Sequence, residues 1–407
     1  MPRTQSHHLH LPHLAFDGSR QMKLVYLMRV LRDLVNKIAY FFFPIYLFTS
    51  GDAVFNHKFG LTTIQAGMVL IALYYLVYKI IMLFSAIPLG KMAIKIGYQR
   101  TIIWAYIINS LYFLVLFFSL KFPYLIFLAA IMDGVQANMF WPIYKTILTK
   151  SAHKAKMGGD LGLLRFLLQL VAVVSPAIAG LISLKLGFEV LFLVGLIGTL
   201  SGLVVVMMME LHTDKVMPRW SEFVNWMKEK RYQKLALSIS GRYISDTVIY
   251  LWPLYVFFLL EETSKVGFLY TLSLFLAMIV TMFISFVIDK LKTRKAFDVS
   301  GGLLSLTWLA RTQVGSVLGI ALVDTVNQLI SNFHWLYYDM ILFRRGKGKK
   351  AHSYFVYYEI IAAAVGTVFW LAFMGIFLVM DQWHGLFVLG AIGVLMSLLV
   401  RDKHEAE

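Results

Sequence analysis

The sequence contains no cysteine among its 407 residues. This absence excludes disulfide bonds, thiolate nucleophiles and cysteine-based metal sites, and it leaves the redox state of the compartment undetermined. Charged residues are also scarce, at 15% of the chain, whereas 59% of its residues are hydrophobic, against about 45–50% in a soluble domain. The composition therefore predicts an all-α polytopic membrane protein.

Several sequence motifs that carry chemistry are missing as well. The chain has no Walker phosphate loop, no H-E-x-x-H metal motif and no G-x-S-x-G nucleophile turn. We therefore expect no enzymatic activity, no cofactor, no metal site and no direct use of ATP. Four histidines near the N-terminus lack an acidic or thiol partner, so we interpret residues 1–23 as a solvated tail without a signal peptide.

Apolar stretches of the ~17–25 residues needed to cross a bilayer recur along the chain and predict about twelve spans. A polar break divides them into two groups of six. The first six form a bundle at 24–210 and the last six a bundle at 236–400. A linker with an amphipathic helix at 211–235 connects the bundles, and a tail follows at 401–407. The predicted spans lie at 24–48, 64–88, 100–120, 123–148, 158–183, 188–210, 236–259, 265–288, 297–313, 316–342, 353–379 and 383–400.

The net charge of +16 comes from bases that are concentrated in alternate loops between these spans. Such an alternation follows the positive-inside rule and places both termini in the cytoplasm, with the chain in the cell (inner) membrane. Because the bases form no single patch, we expect no nucleic acid partner. The intervening loops hold at most one base each, near Lys58, Lys121, Lys185, Lys265 and Arg311.

The first span, 24–48, carries charges at an expensive depth. A charge within a bilayer costs at least ~2.5–3.5 kcal/mol on insertion scales and therefore normally faces a protein interior or a wet cavity. Arg29, Asp33, Asn36 and Tyr40 follow one another at steps of three and four, which places them on one helical face. We interpret this face as the wall of a cavity.

The second half of the chain repeats features of the first. The segment around Pro44 is similar to the segment around Pro253, and Asp33 has counterparts in Arg242 and Asp246. A weaker match relates two polar and aromatic series in the fourth and tenth spans, which comprise Asp133, Gln136, Asn138, Trp141 and Tyr144 in the one and Asp324, Asn327, Gln328, Asn332, Trp335 and Tyr338 in the other. Two six-span halves in the same orientation are typical of parallel-repeat transporters.

Two loops resemble the signature loop of the major facilitator superfamily, G-x-x-x-D-[RK]-x-G-[RK]-[RK]. The first loop keeps Gly90, Lys95, Gly97 and Arg100 but has Ile94 at the position of the acid. The second loop lacks the glycines and keeps Asp289, Lys290, Arg294 and Lys295. The resemblance implies a twelve-helix secondary transporter, with these loops gating the passage, that moves a small solute by alternating access.

The resemblance and the interior polar residues together give the candidate site. We expect proton coupling through Asp33, Asp133, Asp246 or Asp324. We expect a small polar or amphiphilic solute that contacts residues from both halves. Bases outnumber acids inside the first half, which favours an anion or a zwitterion. The candidate contact residues are Arg29, Asn36, Lys37, Tyr40, Gln136, Asn138, Trp141, Gln169, Arg242, Tyr250, Asn327, Asn332 and Trp335.

Other interpretations stay open at this point. Asp33 with Lys37, and Arg242 with Asp246, are spaced to neutralise one another along a helix. Lys79, Arg165 and Glu359 suit a structural role as well as a functional one, and single tryptophans pack more often than they bind. The cavity charges favour uptake by symport, whereas the run from Ser175 to Gly180 is similar to that of exporters and favours efflux of drug-like compounds by proton antiport.

A receptor or assembly factor on the same fold, without transport, is the alternative from a different class. For either class we expect a monomer in the lipid bilayer. If the protein is a transporter, its partners are the solute and H⁺.

Overall fold

The computed structural model describes residues 20–55, 59–151, 157–290, 294–379 and 383–401, with only the backbone described at 151, 157–163, 165 and 281–290. The histidine-containing tail and the side chains of Arg165, Asp289 and Lys290 therefore lie outside the described part. Within these ranges the regular structure is helical throughout.

Helices follow one another along the described part of the chain. The 3₁₀ turn Arg311–Gln313 directly follows one of them. The helices are α1 Arg20–Tyr40, α2 Phe43–Thr49, α3 Gly51–Phe55, α4 Thr63–Ile96, α5 Tyr98–Ser119, α6 Leu125–Ser151, α7 Met157–Met207, α8 Trp220–Lys228, α9 Lys230–Leu260, α10 Thr263–Lys290, α11 Arg294–Ala310, α12 Val317–Gly346, α13 Ala351–Val379 and α14 His384–Ser397.

By length and composition, seven of the described segments suit a membrane crossing: Thr63–Ile96, Tyr98–Ser119, Leu125–Lys150, Phe166–Met207, Lys230–Leu260, Thr263–Val280 and Ala351–Val379. Helices α1 and α12 are long enough for a crossing but too polar to belong to this group. Both carry predicted site residues, so their polarity follows from the same side chains that suggested a cavity.

Three predicted spans differ from the helices observed. The first span, 24–48, is interrupted by a turn at Phe41 and Phe42, and α2 then begins at Phe43 with Pro44 in its first turn. Proline suits that position because the first turn leaves its backbone N–H groups without helical partners. The spans 158–183 and 188–210 join into the 51 residues of α7, whose helical path is broken at Gly187 by a φ of 76°.

The two halves of the chain touch most extensively along two helix pairs, α4 with α13 and α7 with α10. The second contact is made at backbone distance. A Cβ atom added at Gly267 would lie 2.3 Å from the carbonyl oxygen of Pro176, and one added at Gly180 would lie 2.9 Å from that of Thr263. The predicted exporter-like run around Pro176 is therefore part of a close helix contact, as small residues permit.

The linker contains the predicted amphipathic helix as α8, which lies on other helices of the protein. Phe223 contacts Tyr357 of α13 with ring centroids 5.4 Å apart, and Trp226 contacts Tyr232 of α9 at 4.2 Å. Trp220 remains 44% exposed at the start of the helix. The apolar face of α8 thus ties the linker to the second half of the chain.

The first signature-like loop forms a tight turn between α4 and α5. Gly97 adopts a φ of 94°, which only glycine takes readily, and the backbone N–H of Tyr98 donates to Thr213 Oγ1 at 3.0 Å. Lys95 and Arg100 are exposed. In the second loop, Arg294 donates to the carbonyl oxygens of Leu398 and Val400 at 2.5 Å each, beyond the end of α14.

Candidate functional site

The first polar cluster lies where α1 faces α6. Asp33 forms ion pairs with Arg29 at 3.2 Å and with Lys37 at 2.8 Å, both one helical turn away. The Arg29 guanidinium lies 4.9 Å from the ring centre of Trp141 and 5.5 Å from that of Tyr144. Sequence spacing predicted the pairing with Lys37, and the structure forms it with a second base added.

The second polar cluster has the same construction between α9 and α12. Arg242 Nε donates to Asp246 Oδ2 at 2.6 Å, again across one helical turn. Its guanidinium lies 3.9 Å from the ring centre of Trp335 and 5.8 Å from that of Tyr338. Each half of the chain thus presents an arginine that is paired with an aspartate and covered by a tryptophan.

The aromatic parts of the two clusters correspond residue by residue. The order Asn-x-x-Trp-x-x-Tyr occurs on α6 from Asn138 to Tyr144 and on α12 from Asn332 to Tyr338. Within each copy the tryptophan and tyrosine meet edge to face, at 6.0 Å on α6 and 5.7 Å on α12, with the same interplanar angle of 81°. Alignment on this order, instead of on the preceding acids, relates the halves more clearly than the match that sequence spacing suggested.

Asp133 is held by neutral donors. Gln136 Nε2 donates to its Oδ1 at 2.7 Å and the Tyr74 hydroxyl donates to its Oδ2 at 3.1 Å. Gln136 Oε1 in turn accepts from Arg32 Nη2 at 2.5 Å, and the Arg32 guanidinium stacks 3.9 Å from the ring centre of Phe140. Among the described side chains no base forms an ion pair with Asp133, as its spacing from other charges predicted.

Asp324 is buried in an ion pair that sequence analysis missed. Arg311 Nη2 lies 2.9 Å from Asp324 Oδ1, the Trp252 indole N–H donates to Oδ2 at 3.0 Å, and Arg311 is fully buried. From the sequence, Arg311 counts only as a base of an intervening loop and has no predicted partner. The 3₁₀ turn after α11 directs it back between Trp252 and Trp308, at 4.8 and 4.2 Å from their ring centres.

A small cavity joins the second cluster to the surroundings of Asp324. Its volume is about 150 Å³, which is room for roughly five water molecules at ~30 Å³ each. It is lined by Ser245, Asp246, Ile249, Leu304, Trp308, Asn327, Gln328, Ser331 and Trp335. Three predicted site residues, Asp246, Asn327 and Trp335, therefore share one polar cavity, and the Asp246 side chain is 49% exposed.

Predicted aromatic residues connect the halves. Tyr75 of α4 donates to the Tyr250 hydroxyl at 2.8 Å, and Tyr250 donates to the carbonyl oxygen of Tyr40 at 3.3 Å. The Tyr40 ring stacks on Tyr112 at 5.6 Å, and Tyr75 stacks on Trp370 of α13 at 4.6 Å. Tyr40 and Tyr250 thus belong to one hydrogen-bonded aromatic group.

Other predicted residues are placed apart from the clusters. Asn138 Nδ2 donates to the Met82 carbonyl oxygen at 2.6 Å and to Ser85 Oγ at 2.8 Å, so it links α6 to α4. Gln169 is half-buried on α7. Asn36 Oδ1 is buried and accepts no hydrogen bond from the described residues, so it is available to a ligand or water.

Two lysines with functional potential were given little weight by sequence reasoning. Lys145 forms an ion pair with Glu359 at 2.6 Å, which joins α6 to α13, and it lies 3.8 Å from the Tyr358 ring centre. Lys79 is only 7% exposed, so it does not extend to solvent as snorkelling would require. Its Nζ lies 4.5 Å from the ring centre of Tyr243 across the contact between halves.

The family model of the Major Facilitator Superfamily matches residues 25–344. The chain therefore belongs to the major facilitator superfamily, and its all-α architecture is that of these membrane transporters. Among solved structures it is similar to the human organic anion transporter MFSD10 (TETRAN), with a TM-score of 0.71, 11% identity, and coverage of 94% of this chain and 99% of that one.

A second similar structure is the superfamily transporter FucP in the outward conformation, with a TM-score of 0.60, 12% identity, and coverage of 92% of this chain and 98% of that one. At these identities the likeness establishes the fold alone. No curated protein sequence matches the chain.

Proposed function

We propose that this protein is a secondary active transporter that moves a small solute across the membrane by alternating access. The moving units are the two six-helix bundles at 24–210 and 236–400, which the linker at 211–235 connects. Membership in the superfamily supports transport as the class of function. Substrate sites of such transporters lie between the repeats, where the paired polar clusters supply side chains from each half.

The observation that carries the proposal is the repeated arginine, aspartate and tryptophan arrangement. Arg29 and Arg242 each present a planar guanidinium that suits a carboxylate or another anionic group. Trp141 and Trp335 offer apolar faces beside these charges. We therefore propose an anionic or zwitterionic solute with an apolar part, a class that includes the organic anions named for the similar human structure.

Asp133 is our favoured proton carrier among the four candidate carboxylates. Protonation of Asp33, Asp246 or Asp324 would break an ion pair. Protonation of Asp133 would instead rearrange hydrogen bonds with Gln136 and the hydroxyl of Tyr74. Because Gln136 also accepts a hydrogen bond from Arg32, a rearrangement of Gln136 on protonation of Asp133 would alter the contact of a buried cation on α1.

We further propose that the protein acts as a monomer in the cell membrane with both termini in the cytoplasm. The alternating distribution of basic loops supports this orientation. The direction of transport depends on the coupling, and both uptake by proton symport and efflux by antiport suit the charges described.

A non-transporting receptor or assembly factor is the second candidate. It is favoured by the ion pairing of Asp33, Asp246 and Asp324 and by the small volume of the cavity, about 150 Å³. A receptor on this fold would bind its ligand without moving it. Flux therefore separates the two candidates.

The test uses the purified protein reconstituted into liposomes. Carboxylates, amino acids, sugars and drugs are first compared by ligand-induced thermal stabilisation, and the best ligand is then followed as flux with and without a pH gradient. We expect an anionic ligand whose flux is lost in Arg29→Gln and Arg242→Gln but kept in the control Lys121→Gln, a base in an exposed loop. Binding without any flux would establish the receptor instead.

A further inference from the structure

A second, larger cavity lies outside the candidate transport site, between the linker helix α8, the start of α9 and the loop that connects α12 to α13. Its volume is about 550 Å³. The loops at this end belong to the predicted cytoplasmic face, far along α13 from the aromatic group around Trp370. The cavity is therefore separate from the polar clusters described above.

The charge of this cavity is unbalanced. Five bases and two acids line it, which are Arg231, Arg345, Lys347, Lys349, Lys350, Glu222 and Glu229. Both acids are already engaged, Glu222 with Lys350 at 3.3 Å and Glu229 with Arg231 at 2.7 Å. Arg345 and Lys349 form no ion pair with any described residue. The cavity thus has positive charge that its own carboxylates do not neutralise.

The loop at the edge of the cavity has a composition suited to an anion. Residues 346–350 read Gly-Lys-Gly-Lys-Lys and lead directly into α13, which begins at Ala351. Glycines permit a ligand to approach the backbone, and the N-terminus of a helix carries partial positive charge with N–H groups free of helical partners. Gly348 has a φ of 149°, and a Cβ atom added there would meet no other atom within 4 Å, so the space beside the loop is open.

A buried hydroxyl group gives an independent indication of a ligand. Ser353, in the first turn of α13, is 1% exposed and lines the cavity, yet its Oγ has no hydrogen-bond partner among the described residues. The hydroxyl of the adjacent Tyr354 is likewise buried without a partner. Leaving such donors unsatisfied costs roughly 1–3 kcal/mol each, so an acceptor in the cavity would stabilise them.

Part of the cavity lining is aromatic. Trp226 lies 4.2 Å from Tyr232, 6.0 Å from Tyr354 and 5.9 Å from Tyr357, measured between ring centroids. All four rings line the cavity. A ligand there meets apolar ring surface as well as bases and unsatisfied hydroxyls.

We propose that this cavity binds a phosphate-bearing anion. The phosphate lies against Arg345, Lys349 and Ser353 at the start of α13, and the group attached to it lies against Trp226 and Tyr232. A phosphate has enough oxygens to accept from a guanidinium, an ammonium group and a hydroxyl together. The ligand is either a soluble phosphate ester or the headgroup of an anionic phospholipid, and both supply the same chemistry.

The experiment measures binding to the full-length protein by calorimetry and by thermal stabilisation. Inorganic pyrophosphate and ATP are the soluble probes, added to the detergent-purified protein. For the lipid, the protein is placed in phosphatidylcholine nanodiscs with and without phosphatidic acid. The variants are R345Q/K349Q and, separately, Ser353→Ala. The control K230Q/K234Q removes the same charge from exposed positions of α9 outside the cavity.

We expect the R345Q/K349Q variant to weaken binding roughly thirtyfold, as two basic contacts to phosphate imply. Ser353→Ala should weaken it about fivefold, while the control variant binds as the wild type does. Binding of pyrophosphate or ATP with this pattern identifies a soluble ligand, and stabilisation by phosphatidic acid alone identifies the lipid headgroup. The proposal is overturned if no probe stabilises the wild type, or if the control loses as much affinity as R345Q/K349Q. Because binding is the readout, the result is independent of transport.

Discussion

The two halves of the molecule share the arginine, aspartate and tryptophan arrangement but differ in how their deeper carboxylates are held. In the second half, Asp324 is fixed by the buried guanidinium of Arg311 and by an indole N–H. In the first half, Asp133 accepts hydrogen bonds from Gln136 and Tyr74 and forms no ion pair with a described side chain. The second half thus has an ion-paired anchor, whereas the Asp133 carboxylate has no such ion pair to lose.

The acids paired with Arg29 and Arg242 differ in the opposite sense. Asp33 carries two bases and is 12% exposed, whereas Asp246 is 49% exposed and opens into the cavity of about 150 Å³. In the function that we propose, the repeated framework therefore serves proton chemistry in the first half and contact with water or solute in the second. Each prediction below tests one part of this division.

The largest effect is expected for Arg311→Gln. The change leaves the Asp324 carboxylate buried without its base, which costs about 3–5 kcal/mol. Thermal unfolding of the purified protein should show a clear loss of stability, with partial recovery in Arg311→Gln/Asp324→Asn. Asp133→Asn, which strands no charge, should cost less than about 1 kcal/mol. Equal losses for Arg311→Gln and Asp133→Asn would remove the distinction between the halves.

The next effect concerns coupling. Asp133→Asn cannot take up a proton, so accumulation of solute driven by a pH gradient should fall roughly tenfold or more in liposomes, while exchange without a gradient continues. Asp246→Asn is the matched change in the other half. It should weaken solute binding but preserve the response to the gradient. Loss of that response in Asp246→Asn would contradict the assignment of proton uptake to Asp133 in the first half.

A smaller effect is expected at the tryptophans. Stacking of a cation on tryptophan contributes ~0.5–2 kcal/mol, so replacement by leucine should weaken solute affinity about two- to thirtyfold. Trp335→Leu should lower solute affinity more than Trp141→Leu does. The reason is that the Arg242 guanidinium lies 3.9 Å from the ring centre of Trp335, whereas that of Arg29 lies 4.9 Å from the ring centre of Trp141. Titrations followed by thermal shift give the comparison. Trp104→Leu, at a 53% exposed position on α5, serves as the control.

The smallest effect concerns the contact between halves. Loss of the Lys145–Glu359 pair in Glu359→Gln should disfavour the conformation described here by about 1 kcal/mol, or roughly fivefold. The natural chain lacks cysteine, so Phe48→Cys, at the contact with Phe258, provides a single reactive thiol. The rate at which a thiol reagent labels Phe48→Cys should differ between the protein with Glu359→Gln and the protein without it. Adding Lys145→Gln should cause no further change, and an additive effect would show that the two residues act separately.

Local patterns were sufficient to predict the helices and the pairs that lie one turn apart. The length of the apolar stretches gave the spans. The four-residue spacing gave the contacts of Asp33 with Lys37 and of Arg242 with Asp246, because such pairs depend on the geometry of a single helix. The sequence order around Pro44 did not reveal the break at Phe41 and Phe42, because an apolar run reads the same whether or not the helix turns within it.

Contacts between distant segments were not predictable in the same way. Arg311 contacts Asp324 across a turn, and Lys145 contacts Glu359 in the other half of the chain. Neither pair has the three- or four-residue separation by which a contact within one helix is predicted. The cavity beside α8 was missed for the same reason. Its bases were interpreted as loop charges that set orientation, since only the folded chain brings Ser353 and Trp226 to the same space.

The close packing of α7 on α10 has a mechanical consequence. With Gly267 against the Pro176 carbonyl and Gly180 against that of Thr263, the two helices approach too closely to admit a side chain between them. In the alternating-access mechanism that we propose, the halves would pivot about this seam. A bulky side chain at Gly267 would force the seam apart and thereby hinder that pivoting.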